Sequence, residues 1–230
     1  MPIKFIFSIF ILLISTLSMA DNRPGFVCGR FSDTVIEVPG NYVYPFAEYE
    51  GYSYFDPRFL ENKKGCDANF RVLPLVMSWP EMKPFNKNEN GKNKKLRFSI
   101  EPLDGDPKGY LEYKRYIYID RGEEKIKGDV SYDEELNLYF NEVKLKKMNR
   151  YIDPENDRYG YYWRINNDEI SDFFDCLWIP LDGRYSQCDG FFLIPKLGVK
   201  VEVIIKIEDL VIWDEIKSDV INFICKHINQ

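Results

Sequence analysis

One histidine, His227, is available to this chain for general-base chemistry, and it sits close to the C-terminal Gln230. A Ser-His-Asp or Cys-His nucleophilic site would have to use it. Its place on the last turn of a terminal helical stretch suits a contact with the helix dipole instead. Zinc or iron sites built on several histidines are excluded. The 37 Asp and Glu residues always allow some pair able to cleave a glycosidic bond, but no pair stands out from the sequence. Two stretches resemble calcium loops. Asp104, Asp106 and Gly109 fit positions 1, 3 and 6 of such a loop, yet Lys108 and Arg115 stand where oxygen ligands are required. In the second, Asp153, Glu155 and Asp157 alternate, but Gly160 comes two places late and Arg164 replaces the bidentate Glu. Both read as turns. There is no glycine-rich phosphate loop, nucleophile elbow or dinucleotide fingerprint. The expectation is no catalytic set, no metal and no cofactor.

The five cysteines carry a different chemistry. Cys176 and Cys188 bracket LWIPLDGRYSQ, whose Asp182-Gly183 turn brings two short strands together, so they are paired first. Cys28 and Cys66 form the second expected bridge. Cys225, near the end of a C-terminal helix, is read as a small buried thiol. Disulfides call for an oxidising compartment. The first twenty residues agree: Lys4, an apolar run from Phe5 to Leu17, then Ser18 and Ala20, form a secretory leader over residues 1–20. That run is shorter than the ~20 residues of a spanning helix, so no stable membrane insertion is expected after cleavage. Asp21 follows the cut, where a lipid-anchored form would need Cys. The expected location is the periplasm, as a soluble protein.

Net charge is −6, and because Lys4 lies in the leader the mature chain is more acidic still. Nucleic acid is disfavoured as a partner; the acidity suits docking onto a basic surface, but net charge for solubility alone is the favoured reading. With 16 Tyr, 17 Phe and 4 Trp, many in alternating patterns, core packing accounts for most of the aromatics, and any exposed subset of Tyr and Trp is a candidate interface.

The elements that would position these residues are mostly strands. Alternation marks Phe31 to Pro39, the aromatic stretch from Asn41 to Pro57, Phe70 to Met77 with Pro74 at an edge or bulge, Leu96 to Glu101, Gly109 to Asp120 and Leu136 to Lys146. A polar loop, Glu81 to Lys95, suggests a boundary between an N-terminal lobe (21–90) and a β-rich C-terminal lobe (91–230). A second loop runs from Arg150 to Arg164. After the Cys176–Cys188 hairpin, FFLIPKLGVKVEVIIKI supplies two strands. From Glu208 the period changes: Leu210, Trp213, Ile216, Val220, Phe223, Ile224 and Ile228 share one helical face. The predicted class is α+β, mainly antiparallel sheets in two lobes, with a C-terminal amphipathic helix.

Two segments resemble the exported bacterial immunity proteins that neutralise type VI secretion effectors, especially lipases. The first is Cys28-Gly29-Arg30-Phe31 followed by Val35 to Pro39. The second runs from Cys188 through Ile194-Pro195 and Val199 to Ile205 to a helix with Leu210, Trp213 and Ile216. The resemblance implies a two-lobed periplasmic inhibitor, not an enzyme, that holds a cognate toxin protein and blocks its active site. Two aromatic stretches would then supply anchors: Tyr42, Tyr44, Tyr49 and Tyr52, and Tyr151, Tyr159, Tyr161 and Trp163. Glu48, Glu50, Asp153, Glu155 and Asp157 would steer a basic toxin face. Competing readings are an exported structural or carbohydrate-binding module and a hydrolase using two carboxylates. Oligomeric state is not legible.

Overall fold

The computed structural model describes residues 23–86, 94–121, 125–145, 158–179 and 185–229. The leader, Tyr151, Asp153, Glu155 and Asp157 lie outside the described residues. Strands dominate. In chain order they are β1 (Phe26–Phe31), β2 (Thr34–Pro39), β3 (Glu48–Tyr49), β4 (Phe70–Trp79), β5 (Lys83–Pro84), β6 (Lys94–Pro102), β7 (Lys125–Lys127) and β8 (Ser131–Asp133). They continue as β9 (Leu138–Leu145), β10 (Arg158–Asn166), β11 (Glu169–Ile179), β12 (Tyr185–Ile194), β13 (Val199–Lys206) and β14 (Ile228–Asn229). Helices α1 (Pro107–Arg115) and α2 (Trp213–Lys226) complete the set.

An 11-stranded sheet runs in the order β3-β4-β6-β13-β12-β11-β10-β9-β7, with β5 beside β4 and β8 beside β9, and a smaller sheet is ordered β1-β2-β14. Its ladders are antiparallel, so the class is α+β. Strands β4 and β6, which flank the Glu81 to Lys95 segment, pair directly from Leu73↔Ile100 to Trp79↔Lys94. One core cluster draws on both sides of it, from Phe31, Phe70 and Leu73 to Phe98, Val201 and Trp213.

Four local expectations are corrected. Phe31 to Pro39 is not one strand: Ser32 takes a φ of 52° and turns the chain, so β1 folds back on β2 with Phe31 opposite Thr34. Gly109 to Asp120 is helical. Asp106 caps it by accepting the Lys108 N–H at 3.0 Å and Pro107 occupies the first turn, and these local signals outweigh the alternation of Tyr116, Tyr118 and Asp120. The helix widens into a π-turn over Tyr116–Asp120, where the Arg121 N–H donates to the Tyr116 carbonyl at 2.8 Å. Residues 158–164 belong to β10 and not to a loop, because Tyr159 to Trp163 pair on both sides, with β9 and β11. Ile228 leaves the helix and pairs with Ile36 as β14.

The two faces of the large sheet are covered differently. Alternate positions Leu73, Leu75, Met77, Phe98, Ile100, Val201, Val203 and Phe192 meet α2 through Trp213, Ile216, Val220 and Phe223, all buried. Gly190 makes room for the indole: a Cβ there would lie 3.0 Å from Trp213. Under this helix, Asp172 is fully buried and accepts three hydrogen bonds, from Trp213 Nε1 at 2.9 Å, Lys217 Nζ at 2.6 Å and Ser171 Oγ at 2.8 Å. On the opposite face α1 closes a second cluster of Leu111, Ile119, Tyr161, Trp163, Phe173 and Phe191.

Candidate partner-binding surface

The segment between β2 and β4 runs along the outer edge of the large sheet and then overshoots it. Val43 bridges to Leu75, the Tyr44 N–H donates to the Pro74 carbonyl at 3.2 Å, and β3 pairs Glu48 with Val72 and Tyr49 with Phe70. Past Glu50, whose N–H donates to the Asn69 carbonyl at 3.0 Å, the strand it follows has ended. Residues 51–62 therefore form a tip beyond the sheet. A short 3-10 helix, Pro57–Glu61, turns it back, capped by Asp56, which accepts the Arg58 N–H at 2.9 Å.

Four devices hold the tip in shape. Buried Asn62 grips Tyr52 from both sides: its Oδ1 accepts the Tyr52 N–H at 2.7 Å and its Nδ2 donates to the Tyr52 carbonyl at 2.8 Å. Gly51, at a φ of 123°, allows this approach, since a Cβ there would lie 2.5 Å from Asn62 Oδ1. The Asp56 carboxylate takes both Arg58 Nε at 3.0 Å and Arg58 NH2 at 2.9 Å, and that guanidinium holds the Asp56 pKa below the usual range. At the root, Cys28 is joined to Cys66, the Tyr49 hydroxyl donates to the Cys28 carbonyl at 2.8 Å, and Arg30 Nε donates to the Cys66 carbonyl at 2.9 Å. Replacing Asn62 with Ala is expected to remove about 1–3 kcal/mol of local stability, because it unpairs two backbone groups at once. Faster hydrogen exchange over residues 51–62, with the α2 amides unchanged, is the readout.

What the tip presents is apolar. Phe55 is 92% exposed, Leu60 79% and Tyr54 54%. The rings brace one another: Phe46 stacks on Tyr54 at 5.0 Å, Tyr54 meets Phe59 at 5.6 Å and 80°, and Phe55 stands on Tyr54 at 5.5 Å and 73°. Arg58 lies 3.9 Å above the Tyr52 ring. A water-exposed Phe on a braced turn, with a neighbouring ring behind it, has the properties of a binding anchor.

The sequence candidates scatter around this tip. Tyr44 is exposed at 63% and Tyr52 at 37%, and Glu50 is exposed and accepts Asn69 Nδ2 at 2.9 Å. Glu48 and Tyr42 are half-buried, and the Tyr42 hydroxyl donates to the Met82 carbonyl at 3.1 Å. Three anchors are corrected to core residues. Tyr49 is buried on Phe70, and Tyr161 and Trp163 point under α1, where burial raises the Tyr161 pKa. Tyr159 is half-buried against the same cluster. Alternation along β10 puts 159, 161 and 163 on one face, and α1 covers that face. Tyr54, Phe55 and Leu60 were missed. The Phe55-Asp56-Pro57 run, an aromatic directly before a capped turn, was the available signal.

His227 Nδ1 lies 2.8 Å from the Phe223 carbonyl and its ring packs on Phe223 and Tyr42, a helix-end contact. Cys225 is exposed, a correction to the buried thiol, because it falls beside the Phe223–Ile224 stripe and not on it. Cys176 and Cys188 are joined by a disulfide across β11 and β12.

Charge gathers on the α1 face. Asp189 stands directly opposite Asp175, and Lys114 Nζ sits 3.5 Å above the Phe191 ring nearby. Burial lowers the Lys114 pKa, although Glu202 and Asp175 oppose it. Burial raises the pKa of Asp189, and burial together with Asp189 raises that of Glu202. An acid whose folded pKa is raised weakens the fold once ionised. Stability is therefore lost as pH climbs from about 4, the ordinary carboxylate value, through the raised one. Asp189→Asn is expected to be more stable than the parent at pH 7 by up to about 1 kcal/mol, screened as the site is by solvent, with the gap closing below about pH 4. Urea melts at both pH values check this, and a less stable variant at pH 7 contradicts it. No group of three or more potential metal ligands occurs among the described residues.

No protein-family profile matches the chain and no curated protein does. Solved structures do. Smlt3025, an immunity protein of the Stenotrophomonas maltophilia type IV secretion system, superposes with a TM-score of 0.55 at 16% identity over 90% of this chain and 94% of that one. The Neisseria meningitidis iron-regulated outer membrane lipoprotein FrpD reaches a TM-score of 0.43 at 11% identity over the same shares. The first likeness is one of fold: this chain shares its fold with that protein. The second is too low to establish a shared fold.

Proposed function

We propose that this chain is an exported immunity protein that binds a cognate antibacterial toxin and covers its active site. The observation that carries the reading is the braced tip with Phe55 almost wholly in water, a surface built for a protein partner. The fold it shares with a secretion-system immunity protein supports the reading, as do two disulfides, which suit an oxidising compartment. The leader over residues 1–20 directs the chain to the periplasm, where residues 21–230 act by binding and not by catalysis. The resemblance of the two end segments points to a type VI effector of the lipase class as the toxin.

The test sends the antibacterial effectors of the source cells, one at a time, to the periplasm of a susceptible bacterium, with and without this chain. Survival restored against one effector, with loss of that effector's activity in vitro on adding residues 21–230, is the expected result. Rescue from none of them overturns the proposal, and rescue from an effector other than a lipase overturns its finer part.

A further inference from the structure

We infer that the tip is a wedge for an apolar cleft in a partner protein, and that the cleft has a basic rim. This rests on the reading of the tip as the toxin-binding surface, and it names the chemistry of what receives it.

The apex is convex and apolar. A flat surface could touch one side of Phe55, but a side chain 92% exposed is covered fully only by a concave site. The apex also carries little net charge of its own, because Arg58 and Asp56 neutralise each other. Its floor partner is therefore apolar. Around the apex the balance is acidic: from Tyr44 to Asp67 the acids are Glu48, Glu50, Asp56, Glu61 and Asp67, against Arg58, Lys63 and Lys64. Glu50 and Glu61 are exposed, so a rim carrying Lys or Arg complements them. The same balance argues against an anionic bilayer, which recruits apolar wedges flanked by free cations. Here Arg58 is held by Asp56 and Lys63 by Asp67, which leaves Lys64 as a single exposed cation against exposed Glu50 and Glu61, too few for such a surface. Rigidity adds affinity, since the Asn62 clamp and the Cys28–Cys66 bridge order the tip before any partner arrives.

The test replaces Phe55 with the photoreactive benzoylphenylalanine in the full chain, in the source cells, and locates the adduct by mass spectrometry. The expected adduct joins one other protein at residues lining an apolar cleft edged by Lys or Arg. Phe55→Ala then weakens binding to that purified protein at least about 30-fold, as a hot-spot anchor does, with its Tm unchanged, whereas Tyr132→Ala on β8 leaves binding intact. Adducts to a second copy of this chain, to phospholipid or to an acidic or flat surface overturn the wedge, as does the absence of any adduct. The two readings fail separately. If the chain neutralises an effector and Phe55→Ala does so equally well, the wedge falls and immunity stands. If no effector is neutralised yet Phe55 enters such a cleft, immunity falls and the wedge stands.

Discussion

Replacing Asp172 with Ala is expected to destabilise the fold by about 3–5 kcal/mol, one of the two largest effects open to a local change here. The carboxylate is fully buried and is the shared acceptor for Trp213 Nε1, Lys217 Nζ and Ser171 Oγ, so it ties α2 to β11 at one point. Removing it leaves an indole N–H and an ammonium with no acceptor in a site lined by Phe192. The Lys217 side chain is 23% exposed and can swing toward water, which favours the lower half of that range. For a chain of this size 1 kcal/mol is worth about 2–4 °C, so Tm should fall by roughly 10 °C. A partner variant separates buried charge from packing. Asp172→Leu combined with Lys217→Met should recover part of the loss, because it removes both charges instead of one. A loss under about 1 kcal/mol for Asp172→Ala would show that the helix is held by its apolar stripe alone.

Helix α2 was legible because its stripe repeats at the helical period over several turns, and β13 because Val199, Val201, Val203 and Ile205 alternate with residues on the other face. Helix α1 was not. In GYLEYKRYIYID only Tyr116, Tyr118 and Asp120 alternate like a strand, whereas Tyr110, Tyr113 and Tyr116 recur every third residue as a helix allows, and Asp106 and Pro107, which decide, lie just outside the apparent run. The hairpin of β1 and β2 was hidden for a related reason: Ser32 enters the left-handed region without a glycine to announce it. Among the aromatics, sequence separates the two faces of a strand but does not say which face is covered. Tyr161 and Trp163 are core because α1 packs over them, and Phe55 is exposed because the sheet stops before reaching it. Exposure is set by the arrival or absence of a distant element, and local pattern carries no record of that.

Removing the Cys28–Cys66 bridge, by replacing both residues with Ala, should lower stability by about 4 kcal/mol, against about 3 kcal/mol for the same change at Cys176 and Cys188. The difference follows from loop length, since the first bridge closes a separation of 38 residues and the second 12. Topology sharpens it. Cys176 and Cys188 are already register partners in neighbouring strands, held by the ladder on either side. Cys28 and Cys66 join the small sheet to the chain leaving the tip, where the Arg30 contacts to the Cys66 and Ala68 carbonyls are the main alternative ties. Losing this bridge therefore also loosens residues 51–62. Hydrogen exchange there should rise in the first double variant and stay at the parent level in the second. Affinity for the proposed toxin partner should follow exchange and not global stability, because a tip that must be ordered on binding gives up interaction energy to do so. If both variants loosen the tip equally, the bridge is a general staple. If only the first does, the disulfide supports the proposed binding surface, and its position at the root of the tip is the reason.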